Sequence, residues 1–250
     1  MSEVMDKLPK YLRFNKRTNA LKSNADKMMT SNFFEGAIMY YLLYIEQIVT
    51  TTHLYITRKE NIDQAVSLRK KILEGKKYQR FSKIFDYAEN IDIFIRKNII
   101  EQGLIDAYEL KDDVYGNEES AYNITVKEMC EKLNKIRNVS SSHLFFVSSL
   151  DPSNVWKRNF DDINYYRKIA RKLRNLMRND LKIEPPSILD NFIEFGSPIA
   201  MSGSLDEEFY YVESKIIEEM ARETKRLSYK ITEDIESTLP LLKRTNKLTN

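Results

Sequence analysis

Glycine and proline are scarce in this chain, six of each in 250 residues, and that scarcity limits the folds open to it. Sheet-rich proteins turn the backbone every few residues and draw on both residue types, glycine for positive φ and proline for a preset φ. A chain so poor in them is built from long, uninterrupted elements. Apolar residues recur at helical spacing, as in the stripe Phe81, Ile84, Phe85, Ala88, Ile91, Ile95 and Ile99. Leu, Ile, Lys, Glu, Asn and Tyr dominate, a mixture suited to amphipathic helices with wet, charged faces. The expected fold class is therefore all-α, and the length is enough to bury a sizeable core.

The apolar period and the breakers predict helices over 24–57, 61–74, 78–101, 125–137, 161–181 and 204–238, with a brief one near 104–110. Met28, Phe33, Ala37, Tyr41, Ile45 and Val49 give the first of these a wide apolar surface, as for a central helix touched from several sides. Gly75 follows the second as a left-handed cap. Thr125-Val126-Lys127-Glu128 reads as a capping box, and Ser204-Leu205-Asp206-Glu207 as another. Pro185-Pro186 ends the helix before it, and 183–204 reads as a loop. The organisation expected is a basic arm over 1–23, a helical bundle over 24–182, and a loop plus long C-terminal helix over 183–250 packed on the same domain.

The single cysteine, Cys130, allows no internal disulfide and no cysteine-rich metal site, and its apolar neighbours mark it as a small core residue. The N-terminus carries no apolar core with a cleavage site, which predicts no secretory leader. The most apolar run, 37–49, is interrupted by Glu46 and Gln47 and is too short to span a bilayer. A cytoplasmic location without membrane association is expected.

Net charge is only +3, but it is unevenly placed. Residues 157–182 hold nine Lys or Arg against three acids, while residues 206–219 hold six acids against one Lys. Either a basic face attracts phosphate, or basic and acidic helices pack side by side. Arg167, Arg171, Arg174 and Arg178 fall in a narrow arc and could follow an RNA backbone or form a solvated face. His53 follows three threonines on the long helix and reads as structural.

One segment points to chemistry: Lys132-Leu133-Asn134-Lys135-Ile136-Arg137-Asn138-Val139-Ser140-Ser141-Ser142-His143. Five residues separate Arg137 from His143, and the polar Asn138 follows the arginine. A histidine with a near-neutral pKa can serve as general base or acid. A permanently charged, fork-shaped guanidinium can bind phosphate oxygens and stabilise developing negative charge. This pattern resembles the signature of the HEPN family, an Arg followed by a polar residue and a His four to six residues on. The resemblance covers roughly residues 24–182 and rests on helix order and motif. One branch of the family carries a His-x-Tyr extension, whereas Phe145 stands at the tyrosine position here.

The resemblance implies a HEPN-like antiparallel helical bundle with a C-terminal helical extension, acting as a metal-independent endoribonuclease. The ribose 2′-hydroxyl would attack the adjacent phosphate, giving a cyclic phosphate and a free hydroxyl end, with no metal and no cofactor. Arg137 and His143 would be catalytic, and Asn138, Ser142 and Lys135 would bind RNA phosphate. HEPN domains pair, which implies a homodimer with a composite active site. A toxin or defence role with an inhibitory partner protein follows from the family alone. Two other readings stay open: a HEPN-like module that holds RNA or a nucleotide without cutting it, and a scaffold that associates through its long C-terminal helix.

Overall fold

A computed structural model describes residues 16–73, 83–101, 125–140, 163–196 and 205–238. All of the regular structure among them is helical. The helices, in order, are α1 (Lys16–Thr30), α2 (Phe34–Glu60), α3 (Ile62–Leu73), α4 (Lys83–Glu101), α5 (Val126–Val139), α6 (Ile163–Asn175), α7 (Ser187–Phe195) and α8 (Leu205–Thr238). A π-helical turn, Leu176–Leu181, prolongs α6. No described helix is long and apolar enough to cross a membrane.

The long helix expected over 24–57 is two helices. Asn32 adopts a left-handed φ of 57°, and the first helix ends there. Asn32 N–H donates to the Met29 carbonyl at 3.2 Å and Phe33 N–H to the Met28 carbonyl at 2.9 Å. That pair of bonds is a Schellman motif with asparagine in the place usually taken by glycine. Phe33 and Met28 lie over Gly36, where a Cβ would come within 2.7 Å of Met28 Sδ. Asparagine tolerates left-handed φ better than most residues, so the break needs no glycine.

The stretch 183–204, expected as a loop, contains α7. Pro186 precedes this helix and Gly196, at φ 81°, caps it through a bond from its N–H to the Phe192 carbonyl. Leu189, Phe192 and Ile193 are buried, the one apolar face of a short amphipathic helix. Gly196 also permits close packing, since a Cβ there would stand 3.2 Å from Arg167 Nη2.

The described residues divide into two compact units. One holds the described residues within 16–23, 41–134 and 227–238, and the other those within 24–40 and 135–226. In the first, Tyr41, Ile45, Ile48, Ile84, Ile91, Met129 and Leu133 are fully buried. Tyr44 and Thr232 share a hydroxyl–hydroxyl hydrogen bond of 3.1 Å, and Lys22 Nζ sits 4.2 Å above the Tyr229 ring. In the second, Phe209 packs against Tyr166 and Phe192 with ring centroids 5.0 and 5.4 Å apart.

Helix α8 buries Phe209, Val212, Ile216, Met220, Thr224, Leu227, Ile231 and Ile235, a stripe that runs through both of its segments. The Thr224 hydroxyl is satisfied by donating to the Met220 carbonyl at 2.7 Å. Ion pairs between Lys215 and Glu218, Arg226 and Glu223, and Lys230 and Asp234 run along its other faces. Tyr210, Tyr211 and Tyr229 stay exposed on this helix.

Candidate functional site

Helix α5 carries the candidate site, and its first turn is held from two directions. Thr125 N–H donates to Glu128 Oε2 at 2.8 Å, and Glu128 N–H donates to Thr125 Oγ1 at 3.2 Å, the reciprocal capping box expected from the sequence. Asp92 of α4 supplies a second cap. Its two carboxylate oxygens accept from Val126 N–H at 2.9 Å and Lys127 N–H at 3.0 Å. Burial pushes the Asp92 carboxyl above its usual range, against the opposing pull of these two N–H groups and of Arg96.

From that anchored start, Val126, Met129, Cys130, Leu133, Ile136 and Val139 form one buried stripe. Burial pushes the Cys130 thiol far up, so it is an inert core side chain, as its neighbours implied. The stripe fixes the rotation of the helix, and with it the side that each later residue occupies. Arg137 stands between buried Ile136 and exposed Asn138 and is itself partly buried. Asn138 and Lys135 are exposed and, three residues apart, share one face. Arg137 is turned from Asn138 by about 100° and lies nearly opposite Lys135 around the axis. Of these two, Asn138 is the nearer to Arg137 around the axis.

The helix ends where the candidate motif begins. Ser140, buried, donates its hydroxyl to the Arg137 carbonyl at 3.2 Å, which satisfies one of the carbonyls a helix terminus leaves open. The C-terminal end carries partial negative charge, and Arg137 in the last turn offsets it. Ser142 and His143 lie outside the described residues. Of the five residues picked out by the sequence, the structure therefore places Lys135, Arg137 and Asn138, all near the end of one helix.

The arginine stripe of α6 has a use inside the chain. Arg174 Nη1 lies 3.2 Å from Asp190, and Arg178 Nη2 lies 3.2 Å from Asp190 and 3.1 Å from Glu184. Arg167 Nη2 donates to the Glu194 carbonyl at 3.0 Å. Three of the four arginines thus fasten α6 to α7 and the segment before it. The sequence concealed this because their partners belong to a helix read as loop. The signals for that helix were present in Pro186, Gly196 and the spacing of Leu189, Phe192 and Ile193.

His53 is buried and stacks on Tyr87 with ring centroids 4.4 Å apart and planes 11° from parallel. Burial lowers its pKa, so the ring is held neutral in the core. A groove of about 360 Å³ is lined by Glu89, Asp92, Arg96, Lys127, Glu128 and Glu131 among others. Lys127 is paired with Glu89 at 3.0 Å, and the surplus of carboxylates disfavours phosphate there. Among the described residues no group of three or more His, Cys, Asp or Glu side chains is placed to hold a metal ion. No protein-family model, curated protein or solved structure matches the chain.

Proposed function

We propose that this chain is a metal-independent endoribonuclease in which Arg137 and His143 act on one scissile phosphodiester. The observation that carries the reading is the Arg137-Asn138 pair closing an amphipathic helix, with five residues between the arginine and His143. The HEPN-like pattern of this segment and the all-helical fold support it together. A guanidinium at the end of a rigid, doubly capped helix is a fixed positive charge on which a phosphate can be held. The histidine takes the proton of the ribose 2′-hydroxyl or returns one to the leaving 5′-oxygen. The 2′-oxygen then bonds to phosphorus as the P–O5′ bond breaks, leaving a 2′,3′-cyclic phosphate and a 5′-hydroxyl.

One imidazole cannot be base and acid in the same step. A homodimer that brings two Arg–His sets to one cleft supplies both forms, and cellular or invader RNA is the substrate. A toxin or defence effector restrained by an inhibitory partner is the biological setting this chemistry fits. The test is a digest in excess chelator with three matched strands: RNA, its 2′-O-methyl analogue and DNA. Only the RNA is expected to be cut, and its new ends should be cyclic phosphate and 5′-hydroxyl. Cutting of the DNA or the 2′-O-methyl strand would remove the ribose hydroxyl from the mechanism and overturn the reading. RNA binding with no cutting of any strand would leave a binding module in its place.

A further inference from the structure

Among the described residues, some cations of helix α6 are bound to α7 and others have no carboxylate partner. Arg167, Arg174 and Arg178 face α7 and are bound there. At about 100° per residue, Asn164, Lys168, Arg171, Lys172 and Asn175 fall in an arc about 100° wide that adjoins the side of the three bound arginines. All five are exposed. Among the described residues, no carboxylate pairs with Lys168, Arg171 or Lys172. Arg171 lies at the edge of the arginine arc, next to Arg178, but like the two lysines it is exposed and has no carboxylate partner among the described residues.

We propose that this Lys168–Arg171–Lys172 face is the docking surface for the phosphate backbone of a single-stranded RNA. The choice of RNA among polyanions rests on the nuclease reading; the choice of a phosphate backbone rests on the face itself. Three cations stand within one and a half turns with only asparagine beside them and no acid in the arc. Such a face matches a repeating negative charge and little else. A protein partner would need an apolar or aromatic anchor at the centre of the contact, and the arc has none. Docking on a lipid surface would also call for apolar side chains to insert.

The opposite sides of α6 explain why the face is held ready. Tyr166, Ala170, Leu173 and Met177 are buried, and the three bound arginines fix the rotation of the helix against α7. Lys168 and Lys172, one turn apart, are roughly 6 Å apart along the axis, comparable to the step between successive phosphates on a strand. The helix is already ordered, so an incoming strand meets fixed charges and only the side chains lose freedom. Arg137 belongs to the same compact unit as this face. A strand bound on α6 is thereby delivered to the unit that carries the catalytic arginine.

The test measures binding, separately from cutting, with the full chain and a fluorescent 2′-O-methyl RNA oligonucleotide, which lacks the attacking hydroxyl and survives. The variant Lys168→Gln/Arg171→Gln/Lys172→Gln is expected to bind about tenfold or more weakly at low salt, with a plot of log affinity against log salt shallower by about 2. Its melting temperature should stay at the wild-type value, since no ion pair among the described residues is lost. A single Lys172→Glu change should weaken binding in the same direction. Affinity within twofold of wild type in the triple variant would overturn the proposal, whether or not the protein cuts RNA. Vesicles rich in phosphatidylserine that bind as tightly as RNA, and through the same three residues, would overturn it in favour of a membrane surface. Binding that depends on the face, without any cleavage of ordinary RNA, would uphold the docking surface and sink the nuclease reading alone.

Discussion

At the scale of single residues, the two histidines have different standing. His53 is a core residue: its ring is stacked on Tyr87, and Nδ1 is buried without a hydrogen-bond partner among the described residues. Burial lowers its pKa below 6.5, so protons bind the unfolded chain more readily than the folded one. The stability that depends on the neutral ring is complete above the unfolded value and declines as pH falls below it. Thermal unfolding followed from about pH 7.5 to pH 5 should show the melting temperature falling across that window. The variant His53→Phe, which keeps an aromatic ring against Tyr87, should show a smaller fall. An equal fall in both proteins would mean that another group, and not His53, responds to pH. The structural reading of His53 was legible from its neighbours and the lack of an arginine at the right offset. Its partner Tyr87 was not, because a stacking contact across 34 residues leaves no local pattern.

At the scale of elements, what the sequence revealed depended on where the stabilising contacts lie. The capping box at Thr125 and Glu128 was legible because both partners sit within one turn. The second cap, Asp92, was not, because it reaches α5 from another helix. The break between α1 and α2 was hidden by an apolar period that continues through Phe33 and Phe34, and by the use of asparagine where a glycine would have announced the turn. Asn32→Ala should therefore cost about 1 kcal/mol or more, because a Cβ without a local polar group strains left-handed φ. Asn32→Gly should cost nothing or add slightly to stability, as read by urea denaturation. Equal losses in the two variants would show that the asparagine side chain matters more than φ.

Helix α7 was missed because nine residues are too few to be helical by propensity alone. Tertiary contacts hold it, and Asp190 joins it to Arg174 and Arg178. Replacing Asp190 by Ala should destabilise the protein by about 1 kcal/mol at low salt, and by less in 1 M salt, because both pairs are partly exposed. A loss that ignores salt would point to packing around α7 as the source. The redistribution of the α6 arginines follows from the same miss. With α7 unseen, four arginines read as one stripe; with it in place, three are bound, and Lys168, Arg171 and Lys172 are exposed without a carboxylate partner among the described residues.

At the scale of the whole molecule, the all-α class was legible from glycine and proline usage and from the apolar period, both of which are local properties summed over the chain. The wide burial of α2 and the long buried stripe of α8 agree with that reading. The candidate site is legible only as a spacing, with Arg137 positioned by the buried stripe of α5 and His143 outside the described residues. Two described regions differ in charge: a carboxylate-rich groove beside the start of α5, and a cationic face on α6. The proposed chemistry belongs with the second.

The most direct measurement is the rate of RNA cleavage in excess chelator by the wild-type chain and by His143→Ala, with melting temperatures recorded for both. Cleavage by the wild type that falls by a factor of about 10²–10⁴ in the variant, with melting unchanged, is the expected result for loss of a proton-transfer group. An equal rate in the two proteins, or cleavage that appears only when a divalent metal is added, would contradict it.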